Sequence, residues 1–198
     1  MSEETAFARL VSLACHDLRT PLATVHGFAT TLTRGGGLEP PADRYVEMID
    51  AASAQLAELI EELSLAARIE SDRYDPTPRE GDTLELVQAA AARLGEERVR
   101  VTGSGAVVET DTDAVERGLA ALFQSALRHG GLDSVEAEVD GTDIRLSPVT
   151  AASAPVVLGD DLRDLGAAVA VRLVRSLGGS VTVAAETLTI SLKPRSAV

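Results

Sequence analysis

Two long segments near the start of the chain repeat hydrophobic residues at intervals of three and four. The first does so through Val11, Leu18, Leu22, Val25, Ala29 and Leu32, and the second through Tyr45, Ile49, Ala52, Leu56, Leu59 and Leu63. This spacing places the hydrophobic side chains along one face of an α-helix, as in a coiled coil. The stretch GGGLEPP at 35–41 separates the segments and predicts a turn. Residues 1–70 are therefore predicted to form a helical hairpin.

Each helix of this hairpin carries a hydrophobic stripe that a single partner helix cannot cover. The stripes are widened by Leu10, Leu13, Ile60 and Ile69. Two hairpins related by a twofold axis would bury all four stripes in a four-helix bundle. The pattern therefore predicts a homodimer formed through residues 1–70.

The pattern changes after residue 70. Residues 71–82, SDRYDPTPREGD, are polar and contain prolines, which predicts a linker. Beyond it, helices are predicted at 83–94, 112–128 and 162–177, and strands at 98–102, 106–110, 134–139, 143–147, 180–184 and 187–192. Each helix is followed by a predicted hairpin of two strands. This order predicts an α/β sandwich over 83–198, with three helices on one face of a mixed sheet, and an α+β fold class for the whole chain.

Composition excludes several classes of partner. With 198 residues, 45% of them hydrophobic, the chain has the composition of a folded globular protein. Its formal charge is −13, and it has a single lysine, Lys193. An acidic chain without a basic cluster is repelled by nucleic acid and by anionic lipid surfaces. We therefore expect no nucleic-acid partner and no role at a membrane surface.

Other sequence signals bear on compartment and metal binding. No run approaches 18 apolar residues, and the N-terminal MSEETAF is acidic, so neither a membrane-spanning helix nor a signal peptide is predicted. The expected location is cytoplasmic. Cys15 is the one cysteine, which excludes a disulfide framework and a multi-cysteine metal site. No metal site is predicted.

His16 is the candidate centre of chemistry. Because each helical residue turns by about 100°, His16 lies opposite Leu18 and the rest of the hydrophobic stripe, and is expected to face solvent. Thr20, Ala23 and Gly27 fall on the same face as His16. Their small side chains would let a partner protein approach the imidazole closely.

Two neighbours of His16 add to its candidacy. A carboxylate such as that of Asp17 can hold the tautomer of an imidazole, raise its basicity and accept its proton. Pro21 cannot donate a backbone hydrogen bond to the carbonyl of Asp17, which predicts a bend one turn after His16. Core packing gives no reason for a proline at this position.

The stretch HDLRTPL at 16–22 resembles the H-box of sensor histidine kinases, whose phosphoacceptor domain is a helical hairpin that dimerises into a four-helix bundle. The resemblance implies that His16 accepts a phosphoryl group and that Asp17 is the base that activates it. It also implies that Thr20 orients water when the same domain dephosphorylates a response regulator. A neutral imidazole is a suitable nucleophile for phosphorus.

The same resemblance implies a partner, namely the receiver domain of a response regulator. That domain carries the aspartate with which His16 would exchange the phosphoryl group. The candidate residues for docking it are Arg19, Ala23 and Gly27.

The second half of the chain resembles the Bergerat-like ATP-binding domain of the same family, with altered motifs. ERGLAALFQSALRHGG at 116–131 is similar to the N-box helix, and Ala121 and Ser125 stand at its two asparagine positions. The metal-holding amide is therefore absent, and a serine hydroxyl is a poorer magnesium ligand. LSPVTAASAP at 146–155 stands where an Asp-x-Gly-x-Gly box would read adenine, and it contains neither an acid nor a glycine.

The segment after this box is also altered. Asp160, Asp161 and Asp164 would repel a triphosphate. Gly166 is a remnant of the family's last glycine box, so Ser125 and Gly166 are the remaining candidates for nucleotide contact. His129, just before a glycine pair, is expected to stabilise the end of its helix.

Three functions are compatible with these features. The main hypothesis is a histidine phosphotransferase that moves phosphoryl groups between receiver aspartates without conventional ATP binding, and hence without a cofactor. The first alternative is an ATP-dependent histidine kinase, using ATP and magnesium, with divergent motifs. The second is a noncatalytic dimeric scaffold or a phosphatase for a response regulator. The intact HDLRT argues against a bare scaffold, and the absent glycine box argues against the kinase.

Overall fold

The computed structural model describes residues 3–37, 39–95 and 97–195, and within its first helix the side chains of residues 3–10, 12–14 and 17 lie outside this description. The chain divides into two compact units, one ending at Tyr74 and the other starting at Asp75. The division lies inside the segment 71–82 that the sequence assigns to a linker.

The first unit is a pair of helices, α1 (Glu3–Gly35) and α2 (Ala42–Glu70), that pack against each other. The predicted helical hairpin is therefore confirmed. Among the described side chains, those buried in this unit are small: Cys15, Ala29, Ser53 and Ala67. Small side chains let two helices approach closely, so this contact uses little of the hydrophobic stripes.

Most of the predicted hydrophobic stripes remain exposed in the single chain. Exposure ranges from 39% for Leu63 to 59% for Tyr45 across the group formed by Leu18, Val25, Leu32, Tyr45, Ile49, Leu56, Leu59 and Leu63. A contiguous apolar surface of this kind on a folded protein marks an interaction site. Homodimerisation of this unit thus stays a prediction that the exposed stripes favour.

The second unit contains helices and strands in mixed order. They are β1 (Arg79–Asp82), α3 (Thr83–Ala92), β2 (Val99–Gly105), β3 (Val107–Thr110), α4 (Thr112–Gly130), β4 (Val135–Gly141), β5 (Asp143–Ser147), α5 (Ala154–Val157), α6 (Leu165–Ser176), β6 (Ser180–Ala184) and β7 (Thr187–Ser191). Five strands form one sheet in the order β2-β4-β5-β7-β6, while β1 and β3 pair separately. Strand β2 runs parallel to β4 and the other neighbours are antiparallel, so the sheet is mixed.

One face of the large sheet is covered. Buried and more exposed residues alternate along β4, β5 and β7, as expected when helices pack on one side only. The buried positions join residues of α3, α4 and α6 in a single core whose largest fully buried side chain is Phe123. Helix α4 contacts both α3 and α6. The predicted α+β architecture, with three helices on a mixed sheet, is therefore confirmed.

The predicted hairpin of β2 with β3 is wrong. Strand β2 pairs with β4, with Val99 opposite Val135, while β3 pairs with β1. Close packing of the parallel pair requires Gly103, because a Cβ there would lie 2.0 Å from the carbonyl oxygen of Val139. Alternating hydrophobic residues indicate an extended conformation but do not specify which strand becomes the neighbour.

The predicted linker is too long. Residues 79–82 form β1, which pairs with β3. The side chain of Asp82 then accepts hydrogen bonds from the backbone N–H groups of Leu84 and Glu85 and caps α3. A polar stretch resembles a linker in sequence, but strand pairing and capping give this one regular structure.

The third predicted helix also starts later than expected. Residues 154–157 form the short helix α5 instead of a loop, and α6 begins at Leu165, not at residue 162. The reason is Asp164, whose side chain accepts a hydrogen bond from the backbone of Ala167 and so defines the first turn of α6. None of the described helices is long and apolar enough to cross a membrane.

Candidate functional site

His16 is exposed on α1, as the helical periodicity predicts. Its neighbour Cys15 is buried. Adjacent residues of a helix lie about 100° apart, so one can pack against α2 while the next faces outward. The side chain of Asp17, which the H-box resemblance assigns as the base, lies outside the described residues.

A shallow depression on the surface of α1 brings together four of the six residues predicted for phosphoryl transfer and docking. It is lined by His16, Arg19, Thr20, Ala23 and Thr24. All of these side chains are exposed, and three of them are small. The depression can therefore receive a protein surface against the imidazole and places one guanidinium within the same surface.

Thr24 was missed by the sequence reasoning, and Gly27 is not among the residues that line the depression. The Thr24 hydroxyl donates a hydrogen bond to the carbonyl oxygen of Thr20 at 3.1 Å. The signal for Thr24 was its spacing of two helical turns from His16. Gly27 has open space beside it, because a Cβ added there would meet nothing within 4 Å. Its role in docking remains a prediction. Helix α1 continues through Pro21, whose predicted bend does not break it.

A polar contact links the two helices further along the hairpin. Nδ1 of His26 lies 3.0 Å from Oδ1 of Asp50, and the same oxygen accepts a hydrogen bond from the Thr30 hydroxyl at 2.6 Å. The sequence analysis did not predict this contact between α1 and α2. The contact constrains how α1 and α2 align within two turns beyond the depression.

The residues at the predicted nucleotide motifs do not fit a magnesium-bound nucleotide. Ser125, at the position of the metal-holding amide, is fully buried, and its hydroxyl meets no hydrogen-bond partner among the described residues. No group of three or more histidine, cysteine, aspartate or glutamate side chains in the described parts of the chain could hold a metal ion. A fully buried hydroxyl whose carboxylate neighbour, Asp164, is already held by Arg128 is a poor magnesium site.

Part of the segment 146–155 is buried in the second unit. Val149 and Ser153 are buried, and the Ser153 hydroxyl bonds to Thr150. The segment thus satisfies its own polar groups and lacks the open glycine backbone that a nucleotide approaches. The residues at this place do not fit an adenine-binding box.

Asp164 has several polar partners in the second unit. Its Oδ1 accepts a hydrogen bond from Ala167 N–H at 3.1 Å, and its Oδ2 accepts one from Arg128 Nη2 at 2.6 Å. Nε2 of His129 lies 3.2 Å from the same Oδ2. Burial raises the pKa of Asp164, but the hydrogen bonds from Ala167 and Arg128 outweigh burial and hold the pKa below its ordinary value.

These contacts change the prediction made for the three aspartates. Asp164 is buried and paired, and Asp161 pairs with Arg163 at 2.7 Å, while Asp160 is exposed. They do not act as one repelling group. Gly166 is the second residue of α6, next to this cluster. His129 does lie in the last turn of α4, as expected, but its partner Asp164 was not predicted.

Comparison with known proteins identifies the first unit. Residues 8–72 match the His Kinase A (phospho-acceptor) domain family. The chain is 31% identical over 176 residues to the histidine protein kinase DivJ of Caulobacter vibrioides. This match covers 80% of this chain and 28% of DivJ. It is 28% identical over 160 residues to the uncharacterized sensor-like histidine kinase R01002 of Rhizobium meliloti, covering 74% and 30% of the two chains. The chain thus spans less than a third of these relatives.

Solved structures share the fold. Full-length ShkA, in complex with AMPPNP, superimposes with a TM-score of 0.67 at 19% identity, over 92% of this chain and 44% of ShkA. The histidine kinase AdeS of Acinetobacter baumannii superimposes with a TM-score of 0.56 at 17% identity, over 90% and 98% of the two chains. With a phospho-acceptor domain matched over its helical hairpin and histidine kinase relatives matched across most of its length, this chain belongs to the sensor histidine kinase family of two-component signalling.

Proposed function

We propose that this chain carries a phosphoryl group on His16 and exchanges it with the aspartate of response-regulator receiver domains, without conventional ATP binding. The observation that carries the proposal is the exposed depression that places His16 beside Arg19, Thr20 and Ala23. A receiver domain can seat on this surface because the side chains around the imidazole are short or flexible.

The transfer step follows from the chemistry of imidazole. A neutral nitrogen of His16 attacks the phosphorus of the receiver's aspartyl phosphate. A P–N bond forms as the P–O bond to the aspartate breaks, the carboxylate leaves with the electron pair, and the imidazole loses its proton to a base. The H-box resemblance assigns that base to Asp17. The guanidinium of Arg19 is placed to interact with phosphoryl oxygens.

Transfer onward is the reverse of this step. The phosphohistidine P–N bond breaks as a second receiver's carboxylate attacks phosphorus, and the imidazole recovers a proton. In the hydrolytic direction, the hydroxyl of Thr20, in the same depression, orients the water that attacks the receiver's aspartyl phosphate.

We further propose that the active form is a homodimer of the first unit. The exposed stripes on α1 and α2 supply the apolar surface for a four-helix bundle. Burying such surface contributes about 25 cal/mol per Å². His16 lies on the opposite face from Leu18, so association through the stripes leaves the depression accessible.

Nucleotide independence is supported by the second unit. Ser125 is buried, Val149 and Ser153 of the segment 146–155 are buried, and Asp164 holds the cationic side chains next to α6. In this proposal the second unit contributes structure and docking surface, and the phosphoryl group comes from a receiver domain.

The ATP-dependent kinase is a second candidate, which fits the names of the relatives. Relatives such as DivJ are named histidine kinases, and the ShkA structure with the same fold contains AMPPNP. In that case a nucleotide would phosphorylate His16 directly, and the same depression would pass the group to a receiver.

One labelling experiment separates these functions. The chain is incubated either with a radiolabelled phosphorylated receiver domain or with labelled ATP and magnesium, and His16→Gln is the control. We expect acid-labile, base-stable label on the wild type from the receiver only, and none on His16→Gln. Label from ATP would establish the kinase, while no label from any receiver domain would leave a scaffold or phosphatase.

A further inference from the structure

The cluster around Asp164 gathers the kinds of donor that bind phosphate. Four groups converge there from two helices: the N–H of Ala167 at the start of α6, the guanidinium of Arg128, the ring of His129 and the hydroxyl of Ser125. Backbone N–H groups at a helix start favour anions, and arginine binds phosphate or carboxylate strongly. The first three contact the carboxylate of Asp164 at 2.6–3.2 Å.

Ser125 adds a buried donor to this cluster. It is fully buried, and no described group meets its hydroxyl with good hydrogen-bond geometry. Its weak contact is with Asp164, because the hydroxyl is among the groups that lower the pKa of that carboxyl. A larger anion with more oxygens could accept a better-aligned hydrogen bond from this hydroxyl.

We propose that Asp164 is a built-in anion that occupies a phosphate-type binding site formed by the start of α6, Arg128, His129 and Ser125, and so excludes free phosphates from it. The carboxylate supplies the negative charge that joins the end of α4 to the start of α6. The second unit therefore holds these helices together without a nucleotide. This inference rests on the nucleotide-independent part of the proposed function.

The test removes the internal anion and offers an external one. In Asp164→Ser the charge is lost, while the new hydroxyl can still cap α6. Pyrophosphate without magnesium is the probe, and calorimetric titration of the full chain measures binding. We expect no measurable binding to the wild type and measurable binding to Asp164→Ser, at least about tenfold tighter than the weakest affinity that the titration detects, since charge-assisted hydrogen bonds become available.

Two matched variants show whether the gain belongs to this site. Asp161→Ser removes the same charge three residues earlier, from a pair with Arg163 outside the cluster, and is expected to gain no binding. Arg128→Gln combined with Asp164→Ser should lose the gained affinity. An equal gain in Asp161→Ser, or no gain in a folded Asp164→Ser chain, would overturn the inference.

The wild type provides a test that does not depend on a variant folding. Side-chain NMR signals of Arg128 and His129 should stay unchanged when pyrophosphate is added, because Asp164 already holds both groups. Shifts of these signals with pyrophosphate would contradict the inference directly. Tight binding of ATP with magnesium to the wild type would instead contradict the proposed nucleotide independence, so the two failures are distinguishable.

Discussion

Oδ2 of Asp164 lies 2.6 Å from Nη2 of Arg128, a residue 36 positions earlier in the chain. The pair joins the last turn of α4 to the residue that caps α6. The guanidinium is largely exposed whereas the carboxylate is 6% exposed, so the aspartate depends on this contact more than the arginine does. Because Asp164 has these partners, replacing it should change the stability of the second unit as well as its binding of anions.

Replacement of Asp164 by alanine should destabilise the second unit. The variant loses the cap of α6 and leaves the Ala167 N–H and the half-buried His129 without their acceptor. The expected decrease in the free energy of unfolding is about 2–4 kcal/mol. Urea unfolding of the full chain measures it. Asp161→Ala, which removes an exposed ion pair with Arg163, should cost less than about 1 kcal/mol, and an equal effect of both variants would contradict the assignment.

The contribution of Asp164 should disappear in acid. Its pKa in the folded chain is lowered from the ordinary value of 3.8, so the unfolded chain takes up the proton first as the pH falls. The stability difference between wild type and Asp164→Asn is therefore full above about pH 5 and shrinks as the pH falls below 3.8 through the folded pKa. Urea unfolding at several pH values, in a His129→Gln background that removes titration of the imidazole, measures the difference. A difference that grows below pH 3.8 would show the opposite sign.

A charge in the hydrophobic stripes should separate the proposed dimer. Leu56→Asp or Leu22→Asp would leave an unpaired carboxylate in the core of the four-helix bundle, at a cost of about 3–5 kcal/mol. Analytical ultracentrifugation should then find monomers. Gln55→Asp adds the same charge at an exposed polar neighbour and should remain dimeric. If the wild type itself sediments as a monomer at micromolar concentration, the bundle is wrong.

Thr20 should affect hydrolysis and not transfer. In Thr20→Ala, labelling of His16 from a phosphorylated receiver should be nearly unchanged, because the hydroxyl does not attack phosphorus. Loss of the receiver's aspartyl phosphate to water should slow by about 10- to 100-fold. Thr24→Ala removes the other threonine hydroxyl of the depression, one already bonded to the Thr20 carbonyl, and is the matched control. Equal slowing in both variants would assign the effect to surface shape.

ATP with magnesium should bind no tighter than the millimolar range. Ala121 and Ser125 lack the amide that holds the metal, and a missing polar contact in a buried site costs about 1–3 kcal/mol. Calorimetric titration of the full chain with ATP and magnesium measures the affinity. A micromolar dissociation constant would favour the ATP-dependent kinase.

The hairpin could be predicted from sequence because its signals are local. Hydrophobic spacing along α1 and α2 depends only on the 3.6-residue period of the helix, and the same period predicts that His16 faces outward. The H-box motif lies within one stretch of helix. Four of the residues that line the docking depression were predicted for the same reason. Thr24, which lies two helical turns from His16, was not predicted.

Sequence alone thus determined the helical hairpin, the exposure of His16 and most of the helices and strands of the second unit, because each depends on residues a few positions apart. Tertiary structure alone decided that β2 pairs with β4 and that Asp164, among three similar aspartates, is the buried one. It also decided that His26 meets Asp50 on α2. These relationships join residues more than twenty positions apart, and they are selected by which surfaces pack together and which buried polar groups find partners.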